Sequence, residues 1–200
     1  MRHERSFRGV YEIGGRSDFG NRMTIIRLSN GELFLHSPVK LSAELVASVR
    51  QLGDVSFIVT PNNFHGLFVE DWILQFPHAK HYSAKDKISS STITLTEDID
   101  GELLGEIKTV KIAGAPRVNE FAFIHRSSGT LILTDIAFNI GEKVSTWSKI
   151  FFTLNGAYGK FGPSRLMKSM VEDASELSVS IRRIAEFDFV RIIVSHGSII

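Results

Sequence analysis

Apolar runs that stop at a potentially ligating side chain are the main pattern along this chain. The run Thr130–Thr134 precedes Asp135, the run Ile192–Ser195 precedes His196, and the run Val55–Thr60 leads into a loop that carries His65. Such β-branched runs predict buried strands, and functional groups of αβ proteins commonly sit where strands end. The sequence therefore predicts a metal or catalytic cluster assembled from three distant segments.

Helical spacing and turn residues place the other elements. Leucine and valine recur at helical spacing over 41–52, with Ser42 as a cap and Gly53 as a stop. The tetrad Asp173–Glu176 has the spacing of a capping box ahead of the last predicted helix. The tripeptide Ser29–Gly31 predicts a hairpin turn, because Asn-Gly favours positive φ angles.

The order of these elements predicts the fold class. A first strand is expected over 7–13, a hairpin over 21–35, and strands near 79–82, 107–112, 119–125 and 190–194. Hairpin strands followed by strands alternating with helices predict mixed sheets covered by helices, an α/β (α+β) architecture. No repeat, linker or low-complexity tract divides the chain, so one domain over residues 1–200 is expected.

The composition limits the metal ligands, partners and cellular location that can be expected. The chain has no cysteine, which excludes disulfides, thiolate ligands and a cysteine nucleophile, so any metal needs His, Asp or Glu ligands. A net charge of +1 gives no reason to expect nucleic acid. The polar N-terminal residues lack the apolar region of a secretory signal, and no apolar stretch approaches the roughly 18 residues of a membrane span. A cytoplasmic protein without membrane contact is expected.

Three residues are the strongest site candidates. Asp135 ends a buried strand, where an unpartnered carboxylate would cost several kcal/mol, so a metal, a histidine or backbone amides must compensate it. His65 follows turn residues and is either functional or a histidine that satisfies a backbone carbonyl. His196 stands beside Gly197, which suits a strand-end group with the backbone turning closely behind it.

Other polar residues are weaker candidates. Glu120 and His125 bracket the strand over 121–124 and are the catalytic candidates, with a solvated strand end as the alternative for His125. His36 is either functional or a loop anchor. Ser37 and Ser195 each neighbour a histidine in sequence, but adjacent strand residues face opposite sides, so no Ser-His catalytic pair is indicated. Surface positions are expected for three histidines: His3, His78 and His81.

Longer stretches of the chain resemble a known superfamily. They are Thr60-Pro-Asn-Asn-Phe-His65, Asn119-Glu-Phe-Ala-Phe-Ile-His125, Leu131-Ile-Leu-Thr-Asp135 and Gly156-Ala-Tyr-Gly-Lys-Phe-Gly-Pro-Ser164. Over residues 20–197 the chain resembles the metallo-β-lactamase superfamily and, more closely, an uncharacterised family related to that fold. The resemblance implies a four-layer αββα sandwich with the site at one edge.

The superfamily signature His-x-His-x-Asp-His is only partly kept. Aligned on its last histidine, His65, the chain has Thr60, Asn62 and Phe64 at the other ligand positions. The segment Gly114–Pro116 stands where a further histidine is expected. The resemblance thus implies one reduced metal site of His65, Asp135 and His196.

The residues and the resemblance leave several functions open. The first is a mononuclear hydrolase that uses zinc, iron or manganese on a small-molecule ester, thioester or phosphoester, with Asn62, Glu120 or His125 in supporting roles. The alternative is a non-catalytic binding or scaffold protein without metal. The aromatic stretch over 147–161 would then be a pocket lid, a self-association face in a homo-oligomer, or core. Nucleic-acid binding through late basic residues is the weakest hypothesis.

Overall fold

Two β-sheets form the centre of this computed structural model, which describes residues 6–7, 9–14, 21–85, 88–101, 103–141 and 144–200. Strands are numbered along the chain. The first sheet contains, in spatial order, β1 (Ser6–Phe7), β2 (Val10–Gly14), β3 (Arg22–Arg27), β4 (Leu33–His36), β5 (Val55–Thr60), β6 (Lys80–Ser83) and β7 (Thr92–Thr94). Each of its first four strands is antiparallel to its neighbour among them, and β4 to β7 are parallel.

The second sheet carries the later strands. Its spatial order is β13 (Arg191–Val194), β10 (Thr130–Leu133), β9 (Phe121–His125) and β8 (Ile107–Lys111). Strands β10 and β13 are parallel, and the other pairs are antiparallel. A small separate ribbon pairs β11 (Phe138–Asn139) with β12 (Phe161–Gly162).

Four of the five described α-helices begin at a side chain that accepts hydrogen bonds from backbone amides of the first turn. The helices are α1 (Ala43–Leu52), α2 (Val69–Gln75), α3 (Thr146–Leu154), α4 (Arg165–Ser169), α5 (Ala174–Ala185) and a 3-10 helix, Glu97–Gly101. Ser42 accepts a hydrogen bond from the Leu45 amide, and Asp173 accepts from the amides of Ser175 and Glu176. The predicted caps of α1 and α5 are confirmed.

Alternating side chains on the strands build three apolar layers. Between the sheets, Phe34 and Phe57 pack in one cluster with Phe123. On the outer face of the first sheet, Ile58 packs with Trp72 of α2 and with α1. On the outer face of the second sheet, the buried residues cluster with α4 and α5. Helices therefore cover both sheets, and the predicted four-layer αββα arrangement is confirmed.

Two expectations about these layers are wrong. His81 is buried between Thr60 and Thr92, whose hydroxyls lie 3.1 and 3.0 Å from its ring nitrogens, instead of lying on the surface. The strand predicted over 7–13 is two short strands joined at Gly9, which has a φ of +85°. His78 is exposed as predicted, and His3 lies outside the described residues.

The aromatic stretch is divided between core and surface. Phe152 is buried with Ile140 and Ala157, whereas Trp147 and Phe151 are 81% and 43% exposed. The stretch is therefore core in part, because α3 turns only one face inward.

The described helices are all short. The longest of them, α5, has 12 residues, and none has the length and apolar character needed to cross a bilayer.

Candidate metal site

Three side chains from distant parts of the chain converge at one edge of the sheets. His65 Nε2 lies 3.3 Å from Asp135 Oδ2, and His196 Nε2 lies 3.2 Å from Asp135 Oδ1. One donor atom from each residue lies within 4.8 Å of the others. The structure thus brings together the three residues expected to gather, and it places a carboxylate between two imidazoles.

The register of two parallel strands places two of these groups side by side. Leu133 of β10 pairs with Val194 of β13, so Asp135 and His196 each stand two residues beyond the same pair. His65 arrives from the other sheet, in the loop between β5 and α2. The site therefore depends on both sheets being packed together.

The two histidines determine the charge state of Asp135. Burial alone would raise the pKa of this carboxyl group, but its hydrogen bonds with His196 and His65 outweigh burial and hold the pKa well below its usual range. Asp135 is therefore an anion that can accept hydrogen bonds or bind a cation.

Asn62 links the His65 loop to the second sheet. Its Nδ2 donates to Asp135 Oδ2 at 2.7 Å and to Glu120 Oε2 at 3.2 Å. Its Oδ1 accepts from the amides of Phe64 and His65, both at 3.0 Å. Asn62 thereby sets the position of His65 relative to Asp135.

Glu120 holds the turn that carries Asp135. Its carboxylate is buried and accepts hydrogen bonds from the amides of Thr134, Asp135 and Ile136 at 2.7, 2.8 and 3.0 Å. Burial and then the charge of Asp135 raise the pKa of Glu120 to about 7, against the effect of these donors. The oxygens already face N–H groups, so the geometry supports a positioning role for Glu120 and not proton transfer to a substrate.

His125 lies away from this cluster. It ends β9, roughly 14 Å along the strand from Phe121, which follows Glu120. Its ring nitrogens lie 2.8 and 3.0 Å from the hydroxyls of Ser128 and Ser127. His125 therefore lies apart from the three gathered side chains, because Glu120 and His125 stand at opposite ends of one strand. The alternative of a solvated strand end is wrong, since His125 is 1% exposed.

Ser37 is a site residue that the sequence reasoning missed. Its Oγ lies 2.6 Å from His65 Nδ1, and its φ of +57° is uncommon for a residue other than glycine. This contact spans 28 positions, so the neighbours of Ser37 along the chain give no sign of it. The strained backbone aims the hydroxyl at the imidazole and fixes the ring.

His36 lies beneath the site and is fully buried. Neither ring nitrogen has a hydrogen-bond partner among the described residues, and the ring packs edge-on against Phe123 at 4.9 Å. Burial, with a smaller contribution from the charge of His65, lowers the pKa of His36 to about 3. His36 is therefore a neutral, buried group and not a ligand or loop anchor.

Replacing His36 should make the free energy of unfolding less sensitive to a fall in pH. Between its ordinary pKa of 6.5 and its folded pKa of about 3, the unfolded chain binds a proton at this position that the folded chain does not. Wild type therefore loses stability as pH falls, and between pH 7 and pH 5 His36→Leu should lose about 2 kcal/mol less than wild type. Urea unfolding at both pH values measures this. His78→Leu, at an exposed position, is the control. Equal losses of stability in wild type and H36L would show that His36 does not cause the loss at low pH.

A cavity of about 430 Å³ opens onto the three side chains. Its wall includes Ser37, Phe68, Phe138 and Phe152, and the Phe138 ring stacks on His196 with centroids 5.3 Å apart. This volume falls within the roughly 300–1,000 Å³ typical of small-molecule sites. The cluster is thus accessible to a ligand of modest size.

Comparisons with known proteins agree with this architecture. Residues 18–95 match the family described as a domain of unknown function, DUF4336. No curated protein matches the chain.

Solved structures match the whole fold at low sequence identity. The metallo-β-lactamase DIM-1 is 14% identical with a TM-score of 0.62 over 99% of this chain and 90% of its own. The metallo-β-lactamase FIM-1 from Pseudomonas aeruginosa, solved in a mono-zinc form, is 12% identical with a TM-score of 0.61 over 98% and 87%. Rubredoxin oxygen:oxidoreductase from Desulfovibrio gigas is 13% identical with a TM-score of 0.65 over 98% of this chain and 56% of its own. The chain has the metallo-β-lactamase fold.

Proposed function

We propose that this metallo-β-lactamase-fold protein is a mononuclear metal-dependent hydrolase whose ion is held by His65, Asp135 and His196. The observation that carries the proposal is the convergence of two imidazole nitrogens and one carboxylate within 4.8 Å, beside a cavity of ligand size. Two histidines and one carboxylate form a known ligand set for catalytic zinc and for iron(II).

The surroundings of the three side chains fit a metal ion. For His65 Nε2 to offer a lone pair, its Nδ1 must carry the proton, and Ser37 Oγ at 2.6 Å is placed to accept it. Asp135 is held as an anion, and Asn62 and Glu120 fix its position. A bound divalent ion would act there as a Lewis acid on a carbonyl or phosphoryl oxygen of the substrate.

The same surroundings favour one ion over two. At the signature positions, Asn62 is committed to hydrogen bonds with Asp135, Glu120 and the His65 loop, and Phe64 is apolar. Gly114, where a further histidine is expected, approaches the backbone of Asp173 so closely that an added Cβ would lie 2.1 Å from its oxygen. The structure of FIM-1, which has the same fold, has been solved in a mono-zinc form, and this supports a one-metal site in the same architecture.

Replacing Asp135 tests the proposal directly. Asp135→Asn keeps the shape of the side chain but removes its negative charge, so zinc affinity should fall at least about hundredfold while the fold is retained. Competition with a chromophoric chelator measures affinity, and circular dichroism checks folding. Asp71→Asn, at an exposed position of α2, is the matched control. A folded D135N protein that binds zinc as tightly as wild type would refute the assignment.

Removing the Ser37 hydroxyl should weaken metal binding by a smaller amount. Ser37→Ala leaves His65 Nδ1 without its acceptor, and losing such a supporting contact typically lowers metal affinity about 10–100-fold. The same chelator competition measures the loss. Unchanged affinity in S37A would show that the 2.6 Å contact does not orient the ligand.

One observation favours a second candidate function, a metal-free binding protein. Asp135 already has hydrogen-bond or ion-pair partners in Asn62, His65 and His196, so its charge is satisfied without an ion. This candidate predicts that wild type and D135N bind zinc equally weakly, whereas the hydrolase predicts a clear difference between them.

A further inference from the structure

The wall of the cavity beside the three side chains is mainly apolar. Val39 and Phe152 line it and are buried, and Phe68 and Phe138 line it between the core and the surface. Because Phe138 stacks on the His196 ring, the apolar surface reaches one of the proposed ligands directly.

Large apolar side chains also stand exposed around the opening. Phe64 and Leu67 come from the loop after β5, whereas Phe151 and Leu166 come from α3 and α4, and all four line the cavity. Contiguous exposed apolar groups at a cavity mark a binding surface, since water contact at each of them is unfavourable. The loop after β5, α3 and α4 therefore each contribute an exposed apolar side chain to the same cavity.

The described lining provides no permanently cationic side chain for an anionic ligand. Among the described residues that line the cavity, none is lysine or arginine, and the acidic one is Asp135. The remaining polar lining residues are asparagine, serine and histidine. Phosphate and carboxylate groups are usually recognised by arginine or lysine, and this described lining offers neither for the charge of an anionic substrate.

We infer that the substrate is an uncharged ester or thioester whose apolar acyl or aryl group lies on this wall, with its carbonyl group at the metal site. In the reaction, water adds to the acyl carbon and the C–O or C–S bond breaks, giving a carboxylic acid and an alcohol or thiol. The reaction rests on the proposed function, whereas the binding of the apolar group does not.

Binding of a neutral apolar probe to metal-free protein tests whether the cavity wall binds apolar groups. N-phenyl-1-naphthylamine should bind chelator-treated protein saturably, and the double variant Leu67→Ser/Phe151→Ser should weaken binding at least about tenfold. Leu74→Ser is the matched control, because Leu74 and Leu67 are 79% and 80% exposed but only Leu67 lines the cavity. Absence of saturable binding, or equal weakening by L74S, overturns the inference.

Turnover by zinc-loaded protein tests the substrate class. We expect kcat/KM for p-nitrophenyl octanoate to exceed that for p-nitrophenyl acetate at least about tenfold, and the double variant to remove this preference. Comparable turnover of p-nitrophenyl phosphate, or probe binding with no ester turnover by the zinc-loaded protein, overturns the assignment. Zinc binding without probe binding overturns only this inference. Probe binding without zinc binding overturns the proposed function and the reaction that rests on it, but not the binding of the apolar group.

Discussion

Replacing Glu120 with alanine is expected to lower the free energy of unfolding by about 3–5 kcal/mol. The substitution leaves the buried amides of Thr134, Asp135 and Ile136 without their acceptor, and Asn62 loses one of its partners. A loss of this size is a large share of the roughly 5–15 kcal/mol of a typical domain. Urea unfolding followed by circular dichroism measures it.

Two further variants separate the role of Glu120 from a general effect of losing a carboxylate. Glu120→Gln keeps one acceptor oxygen, so it should fold and lose less stability than E120A, yet bind zinc more weakly because the Asp135 turn is held less firmly. Glu106→Ala removes a carboxylate that accepts from Ser29 at an exposed site and should cost less than about 1 kcal/mol. If E120A and E106A lose the same stability, Glu120 does not hold the turn.

Replacing Gly197 with alanine is expected to cost about 3 kcal/mol or more and to displace His196. A Cβ at this position would lie 2.1 Å from the backbone oxygen of Asn139, and the glycine has a φ of +110°. The same segment is held by hydrogen bonds from the Asn139 amide to the His196 carbonyl and from the Ser198 amide to the Asn139 carbonyl. The clash therefore separates β11 from the end of β13, and thermal unfolding and zinc affinity should both fall.

Gly159 provides the control for this substitution. It has a φ of +72°, but an added Cβ would meet no atom within 4 Å. Gly159→Ala therefore reports the cost of the backbone conformation alone, about 1 kcal/mol. Equal effects of G197A and G159A would show that the close approach to Asn139 is not what makes glycine necessary beside His196.

Local patterns sufficed for α1, for α5 and for the strand ends, but not for α3, whose aromatic sequence did not predict a helix. Leucine and valine spacing with Ser42 and Gly53 defines α1, and the Asp173 cap defines the start of α5. The convergence of Asp135 and His196 follows from two apolar runs of similar length that pair in parallel. The order of elements predicts sheets covered by helices, but the four-layer sandwich is implied only by the resemblance, because periodicity does not specify which faces of two sheets pack together.

Contacts between distant segments could not be predicted in this way. Ser37 meets His65, and Glu120 meets the amides of 134–136, through the relative placement of strands and loops. The burial of His81 depends on Thr60 and Thr92 from the strands on either side. A sequence shows the polar residue in each case, but its partner is fixed only by sheet order and register.

The central claim is that the chain binds one metal ion at His65, Asp135 and His196. The metal content of untagged protein tests this claim most directly. Plasma mass spectrometry after incubation with zinc, iron(II) or manganese and removal of free ions should find about one equivalent per chain. No bound metal under any of these conditions would contradict the account, as would two equivalents per chain.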